Sequence, residues 1–347
     1  MDAGTSAILR RAAATRQLHD AELRGADLRE FGMQGWQLQG VRLDGADLRG
    51  ARLDDAVLSG CCLRQARLEG SSWLRAIVHG CDLRQARLEA AQAAHACFDT
   101  CRLDDACWQG ASLLRATLQA CEHARTDYRN ADLGRCWAAR ADWRQSLLQR
   151  TLLHTAFLQG ARLDGLDLRD CELTAANLDA ADLRAANLSG MRLERLQANG
   201  ADLSDANLQQ AVLDIVGLQR ALLRGALLQG LRASQLVAER ACLEGAHAES
   251  SEWQGCALAH SDWRGARLGA ARLHGCDLSF SRFDGAELRG MRLQQVNLHA
   301  CEPDASTWEG AHRSACANTD QELLEAQRWQ PPQASTATRN PDEEPSR

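Results

Sequence analysis

"GADLRGARLDDAVLSG", residues 45–60, decides the fold. Leu48, Leu53 and Leu58 stand five apart, and Ala46, Ala51 and Ala56 stand two before each. An α-helix cannot use this spacing. At about 100° per residue, a step of five turns each Leu by about 140° net and scatters the set around the cylinder. A straight strand fails too, because its side chains alternate and a shift of five sends each Leu to the opposite face. The spacing works if the chain turns a corner once per unit. Leu and the small residue two before it then point inward together, while the other three positions point out or form the corner.

Walking outward in steps of five from Leu18, the register runs to Trp308 without insertion or deletion. Most positions hold Leu, and most exceptions are apolar, such as Trp73, Val78, Phe98, Trp108, Tyr128, Trp143, Trp253, Trp263 and Phe283. The residue two before is mainly Ala, then Cys, Ser or Thr. Gly recurs at the expected corner, as at Gly45 and Gly165. Cys61, Cys81, Cys101 and Cys121 lie twenty apart at the small inward position, so four units make one square coil. Proline agrees: none precedes Pro303, and continuous ladder pairing expels a residue that lacks an N–H. Each buried Leu contributes roughly 1.5–3 kcal/mol, and neighbouring coils complete each other's core, so stability grows with coil number.

The segments "CDLRQARLEA" (81–90), "AANLDAADLRAANLSG" (175–190) and "GADLSDANLQQAVL" (200–213) resemble the pentapeptide repeat family, whose units read A(D/N)LXX. The resemblance covers about residues 16–310. It implies an all-β fold, a right-handed quadrilateral parallel β-helix of about fifteen coils and, at ~4.8 Å per layer, a rod about 70 Å long. Short terminal helices are expected at its ends. Residues 1–17 form the N-terminal helical cap, with Thr5 or Ser6 as N-cap in "TSAILRRAAATRQL". The β-helix occupies 18–310, and 311–329 form a C-terminal cap. There "NTDQELLEAQRW" reads as a helix capped by Thr319 or Asp320 with an acidic first turn. The Pro-, Ser- and acid-rich stretch 330–347 reads as a disordered tail.

Composition narrows the function. Aromatics are 4% of the chain, which suits a Leu/Ala core better than a typical enzyme. Every basic residue is Arg, and the Arg, Ala, Leu and Gly richness points to a GC-rich bacterial source. The net charge of −6 argues against direct nucleic-acid binding through a broad basic surface. No apolar run approaches the ~18 residues of a membrane span. The first residues lack a signal-peptide core because Arg10 and Arg11 interrupt them. A soluble, cytoplasmic protein is expected, so its 14 cysteines are read as reduced.

No catalytic motif, nucleotide loop, C-x-x-C pair or metal-ligand spacing occurs, so no enzyme, cofactor or metal is expected. The Cys column, with His123 beside Cys121, reads first as tight core packing. Metal binding and regulated disulfides remain alternatives.

The stronger lead lies one residue before each Leu, on the outside. In steps of twenty, Val57, Ile77, Cys97, Thr117, Trp137 and Phe157 succeed one another, with Val237 further along after Asn177, Gln197 and Gly217. This column is apolar or uncharged, whereas the one through Glu22, Arg42, Asp82, Arg102 and Glu122 is charged. Leu147, Leu152, Leu222 and Leu227 add outward apolar residues. An exposed apolar strip is a docking surface; alternatively, β-propensity alone or coverage by the chain's own ends accounts for it.

Three functional expectations follow. One is a non-enzymatic rigid scaffold that docks another protein on this face. The second, by family analogy, is a type VI secretion accessory or effector-associated protein. The third, by resemblance to the fluoroquinolone-resistance branch of the family, is a DNA mimic acting on DNA gyrase. A homodimer through the C-terminal helix or the apolar face belongs with these readings.

Overall fold

The computed structural model describes residues 3–301 and 308–329. Pro303 and the segment 330–347 lie outside them. Helix α1 (Ala3–Ala13) opens the described chain. Six short strands follow at twenty-residue intervals: β1 (Gln17–His19), β2 (Gln37–Gln39), β3 (Val57–Ser59), β4 (Ile77–His79), β5 (Cys97–Asp99) and β6 (Thr117–Gln119). A second series comprises β7 (Arg192–Glu194), β8 (Val212–Asp214), β9 (Arg232–Ser234), β10 (Glu252–Gln254), β11 (Arg272–His274), β12 (Arg292–Gln294) and β13 (His312–Ser314). Helix α2 (Gln321–Arg328) closes the described chain.

Every strand pairs in parallel with the strand one coil away, in a register of twenty: Leu18 with Leu38, Leu58 with Val78, Trp253 with Leu273. Isolated parallel bridges between the strands obey the same step, such as Glu22 with Arg42, Asp27 with Asp47, and Gly32 with Arg52. The result is a four-walled parallel β-solenoid of about fifteen turns with two short helices.

Most corners are turns closed by an i to i+3 hydrogen bond, such as Ala46 N–H to Leu43 C=O at 3.0 Å; those after the three-residue strands are tied to the next coil instead, as Gly60 N–H to His79 C=O at 2.9 Å. The third residue of the corner has positive φ, +64° at Gly45, which a type II turn demands. This explains the recurrent Gly, yet non-glycine residues fill many of the same positions, Ile215 at +56° among them. Inside, Leu48, Leu53 and Leu58 are fully buried together with Ala46, Ala51 and Ala56. Trp73, Phe98, Trp108, Tyr128, Trp143 and Trp263 are also enclosed.

The ends differ in detail from expectation. Helix α1 already runs from Ala3, so Thr5 and Ser6 lie within it instead of capping it, and Thr5, Leu9 and Ala12 are buried. At the other end the solenoid register continues past residue 310: β13 pairs with β12, and Asn297 bridges Ala317. Of the two cap candidates, Asp320 is the N-cap of α2, accepting the Leu323 N–H at 3.0 Å. Among the described residues no helix is long and apolar enough to cross a membrane.

Candidate functional site: the wall of Val57 to Phe157

The repeat unit A-D-L-R explains most of the surface. Asp one before the Leu points out, and Arg one after it turns back at the corner. Asp27 thereby accepts from both Nε and Nη2 of Arg29 at 2.8 Å. The same two-point clamp joins Asp47 to Arg49, Asp127 to Arg129, Asp167 to Arg169 and Asp182 to Arg184. At Asp142 and Asp262, hydrogen bonds from Arg144 and Arg264 hold the carboxyl below the usual carboxylate range. Further ion pairs cross from coil to coil, as from Asp55 to Arg75 and Asp105 to Arg125. Exposed pairs contribute little each, about 0–1 kcal/mol, but they leave these walls charge-balanced.

The wall through Val57 is built differently. Val57 pairs with Ile77, Ile77 with Cys97, and Cys97 with Thr117. Bridges continue the column through Trp137, Phe157, Asn177, Gln197 and Gly217 to Val237. The twenty-residue coil therefore brings Val57, Ile77, Cys97, Thr117, Trp137 and Phe157 onto one outer strip, with Val237 four coils beyond Phe157. Ile77, Trp137 and Phe157 remain 50%, 49% and 46% exposed; Val57, Cys97, Thr117 and Val237 are half-buried. The rings of Trp137 and Phe157 stack at 5.5 Å with 28° between their planes. In the same coil Leu147 is exposed on the opposite wall and Leu152 on the wall after it, and Leu222 is exposed further along.

Three side chains on this wall escape the sequence reading. Arg115 and Arg135 stand at one edge and Arg140 at the other, all exposed and without an ion pair among the described residues. Their signal is the lack of an acidic residue twenty positions away: Arg115 and Arg135 neighbour each other, His95 and Thr155, while Arg140 neighbours Ala120 and Gly160. It becomes legible only once the coil length is known.

The Cys column is in place. Cys61, Cys81 and Cys101 are buried, and all the thiols are free. The Cys61 N–H points at Cys81 Sγ at 3.3 Å, and Cys101 donates to the Val78 carbonyl at 3.3 Å. Burial pushes the Cys136 and Cys171 thiols up to about 12, which disfavours the reactive thiolate. The group at ligand distance among the described residues lies elsewhere: Cys242, Glu244 and Asp262. Arg224 and Arg264 already engage it.

His123 sits inward where Leu is usual. Its Nδ1 lies 2.9 Å from the Tyr128 hydroxyl, and its ring stacks on Trp143 at 4.9 Å. Its Nε2 has no partner. Beside it the ladder lapses: among the described residues no bridge joins Glu122 to Asp142, and pairing resumes from Asp142 to Arg162. The gap opens a cavity of about 360 Å³ lined by Asp104, Cys121, Glu122, His123, Ala124, Asp142 and Gln145.

Against known families, the model for pentapeptide repeats matches in eight copies, over residues 37–71, 156–190, 176–214, 192–230, 254–290 and 264–299. The chain belongs to the pentapeptide repeat family. No curated protein matches it. Similar solved structures include QnrB1, a plasmid-mediated fluoroquinolone resistance protein, at 18% identity over 52% of this chain and 90% of that one, with a TM-score of 0.38. HetL of the cyanobacterium Nostoc sp. strain PCC 7120, involved in heterocyst differentiation regulation, is 27% identical over 84% of this chain and 96% of its own, with a TM-score of 0.22. Rfr23 of the cyanobacterium Cyanothece 51142 is 20% identical over 49% of this chain and 99% of its own, with a TM-score of 0.19. At these scores the superpositions carry no argument about function.

Proposed function

We propose that this pentapeptide-repeat protein is a non-enzymatic rigid scaffold that docks a partner protein on the wall running from Val57 to Phe157. One observation carries the reading: the stacked, half-exposed Trp137–Phe157 pair in an uncharged column, on a molecule whose next two walls carry Asp–Arg clamps. Apolar side chains of this size gathered on a flat wall mark protein contact more often than solvent exposure, and Trp is enriched among residues that anchor interfaces. The solenoid suits such a role because neighbouring coils lock each wall in place, so the docking surface is already organised before a partner arrives. A DNA-mimic action on gyrase draws less support, since the outward carboxylates are largely neutralised by their own arginines. A place in a type VI secretion assembly would use the same docking wall.

The test is site-directed photocrosslinking in the source cell. A crosslinkable residue at Thr117, on this wall, should give a discrete adduct. The same residue at Arg87, on the opposite wall, should not. The Trp137→Asp/Phe157→Asp variant should lose the Thr117 adduct while keeping its circular dichroism. Equal adducts from both walls, or an adduct indifferent to the double substitution, would reject the docking wall.

A further inference from the structure

The arginines around Trp137 say what kind of partner fits. Over the three coils that cross this wall at 114–120, 134–140 and 154–160 there is no acidic residue. Asp99 and Asp179 bound the interval on either side. Within it stand Arg115, Arg135 and Arg140. Elsewhere many arginines one after the Leu are clamped by the Asp two residues earlier, and the corner arginines Arg75 and Arg125 pair with an Asp one coil away. Other corner arginines, Arg150, Arg195, Arg220 and Arg240 among them, also lack an ion pair among the described residues, so what marks this interval is the absence of any acid across three coils beside exposed aromatics. Arg115 and Arg135 occupy the same corner column in successive coils, on backbone layers ~4.8 Å apart, and neither has an ion pair among the described residues. In a protein of net charge −6, this is a local positive field on an apolar floor.

We infer that the docking wall receives an acidic segment of another protein, with an apolar side chain seated on Trp137 and Phe157 and carboxylates on both sides of it. The inference rests on the docking reading above and adds the charge of the occupant. The layout sets the spacing. Arg135 and Arg140 flank Trp137 at opposite edges of one wall, roughly 10 Å apart for three extended residues. A strand-like segment crossing at this level meets Arg135 first, then the indole, then Arg140, so its pattern is acidic–apolar–acidic. Arg115, one coil away, takes a further carboxylate. Guanidinium forks suit carboxylates because they donate two parallel N–H bonds. Nucleic acid fits less well: the patch spans two coils, and the adjoining wall presents Asp104, Glu122 and Asp142, which repel a continuing phosphate backbone.

The experiment uses the full chain and fluorescein-labelled synthetic peptides, read by anisotropy at about 50 mM and about 300 mM salt. The first probe carries one Leu or Trp between Glu residues. A second replaces each Glu with Gln, a third replaces the apolar residue with Ser, and a short DNA duplex is the fourth. The acidic–apolar peptide should bind at least about tenfold more tightly than the Gln peptide, and more weakly at high salt. Arg115→Glu/Arg135→Glu/Arg140→Glu should abolish that preference, as should Trp137→Ala/Phe157→Ala. Each variant must retain wild-type circular dichroism; single Arg→Gln changes provide a graded series should the triple variant misfold.

If the Gln peptide binds equally well and Trp137→Ala/Phe157→Ala removes it, the docking wall stands and the acidic partner is wrong. If no peptide binds, or binding ignores both variants, both readings fall. Tighter binding of the duplex would overturn the protein partner in favour of nucleic acid. A large gain in peptide affinity on deleting 330–347 would show that the chain's own Asp342, Glu343 and Glu344 are the occupant, and would overturn it as well.

Discussion

The indole Nε1 of Trp73 donates to the hydroxyl of Ser71 at 2.7 Å, wholly inside the solenoid. Trp253 and Trp263 do the same to Ser251 and Ser261, at 2.8 and 2.7 Å. The pairing follows from the repeat: Ser at the small position and Trp at the centre share parity and both face inward. Trp108 and Trp143 have Ala106 and Ala141 at that place, and their indole nitrogens are buried without a partner.

This contrast predicts opposite effects of one hydroxyl. Ser71→Ala leaves a buried donor unpaired and should lower stability by about 1–3 kcal/mol. Ala106→Ser supplies the missing acceptor to Trp108 and should raise it by about 1 kcal/mol. The denaturant midpoint of the full chain measures both. A destabilised Ala106→Ser protein would mean that the added oxygen overpacks the core, and the pairing rule would be lost.

His123 should make stability depend on pH. Burial holds its imidazole down at about 4, against an ordinary value of 6.5. Between these values the unfolded chain binds the proton and the folded chain does not. Stability is therefore fully present above about pH 6.5 and declines as pH falls toward 4, by roughly 3 kcal/mol in all. His123→Leu should flatten that slope; at neutral pH it removes an unpartnered Nε2 but leaves the buried Tyr128 hydroxyl unpaired, so the readout is the pH slope and not the absolute stability. Urea midpoints at a series of pH values provide the test; an unaltered slope in His123→Leu would assign the acid sensitivity to other groups.

Corner chemistry gives a third expectation. Ile215 sits at φ +56° with its side chain 48% exposed, a β-branched residue in the left-handed region. Ile215→Gly relieves that strain and should stabilise by about 1 kcal/mol. Gly45 has φ +64° and nothing within 4 Å of where a Cβ would stand. Gly45→Ala should cost about 1 kcal/mol through backbone conformation alone. Melting temperatures should move in opposite directions; a neutral Gly45→Ala would show that the turn accepts L-residues freely.

Much of this architecture is legible in the sequence because its information is local and periodic. Leu48 and Ala46 announce inward positions by spacing, and Cys61 to Cys121 announce the coil length, so the stacking of Ile77 against Val57 follows by counting. What escaped counting depends on the third dimension or on single exceptions. The reach of α1 back to Ala3 competes with capping by Thr5, and propensity does not decide between them. The gap between Glu122 and Asp142 arises where His123 and Trp143 stack, a pairing of unlike rings that the period treats as two ordinary units. The arginines around Trp137 stand out only once the coil length shows that three successive crossings of their wall hold no acid.

Trp137 and Phe157 offer the last prediction, which separates docking from plain strand preference. If the aromatics serve only the wall's own stability, removing both should destabilise the fold appreciably. Their rings are about half exposed, so burial contributes little, and stacking contributes about 0.5–1.5 kcal/mol. The backbone ladder from Thr117 through Trp137 to Phe157 does not depend on which side chains it carries. Trp137→Asp/Phe157→Asp should therefore cost no more than about 2 kcal/mol, remain folded, and lose partner capture. As a contrast, Trp143→Asp buries a charge in the core and should unfold that part of the rod. Thermal melts and circular dichroism of the two variants decide it: collapse of the Trp137→Asp/Phe157→Asp protein would return both side chains to a structural role.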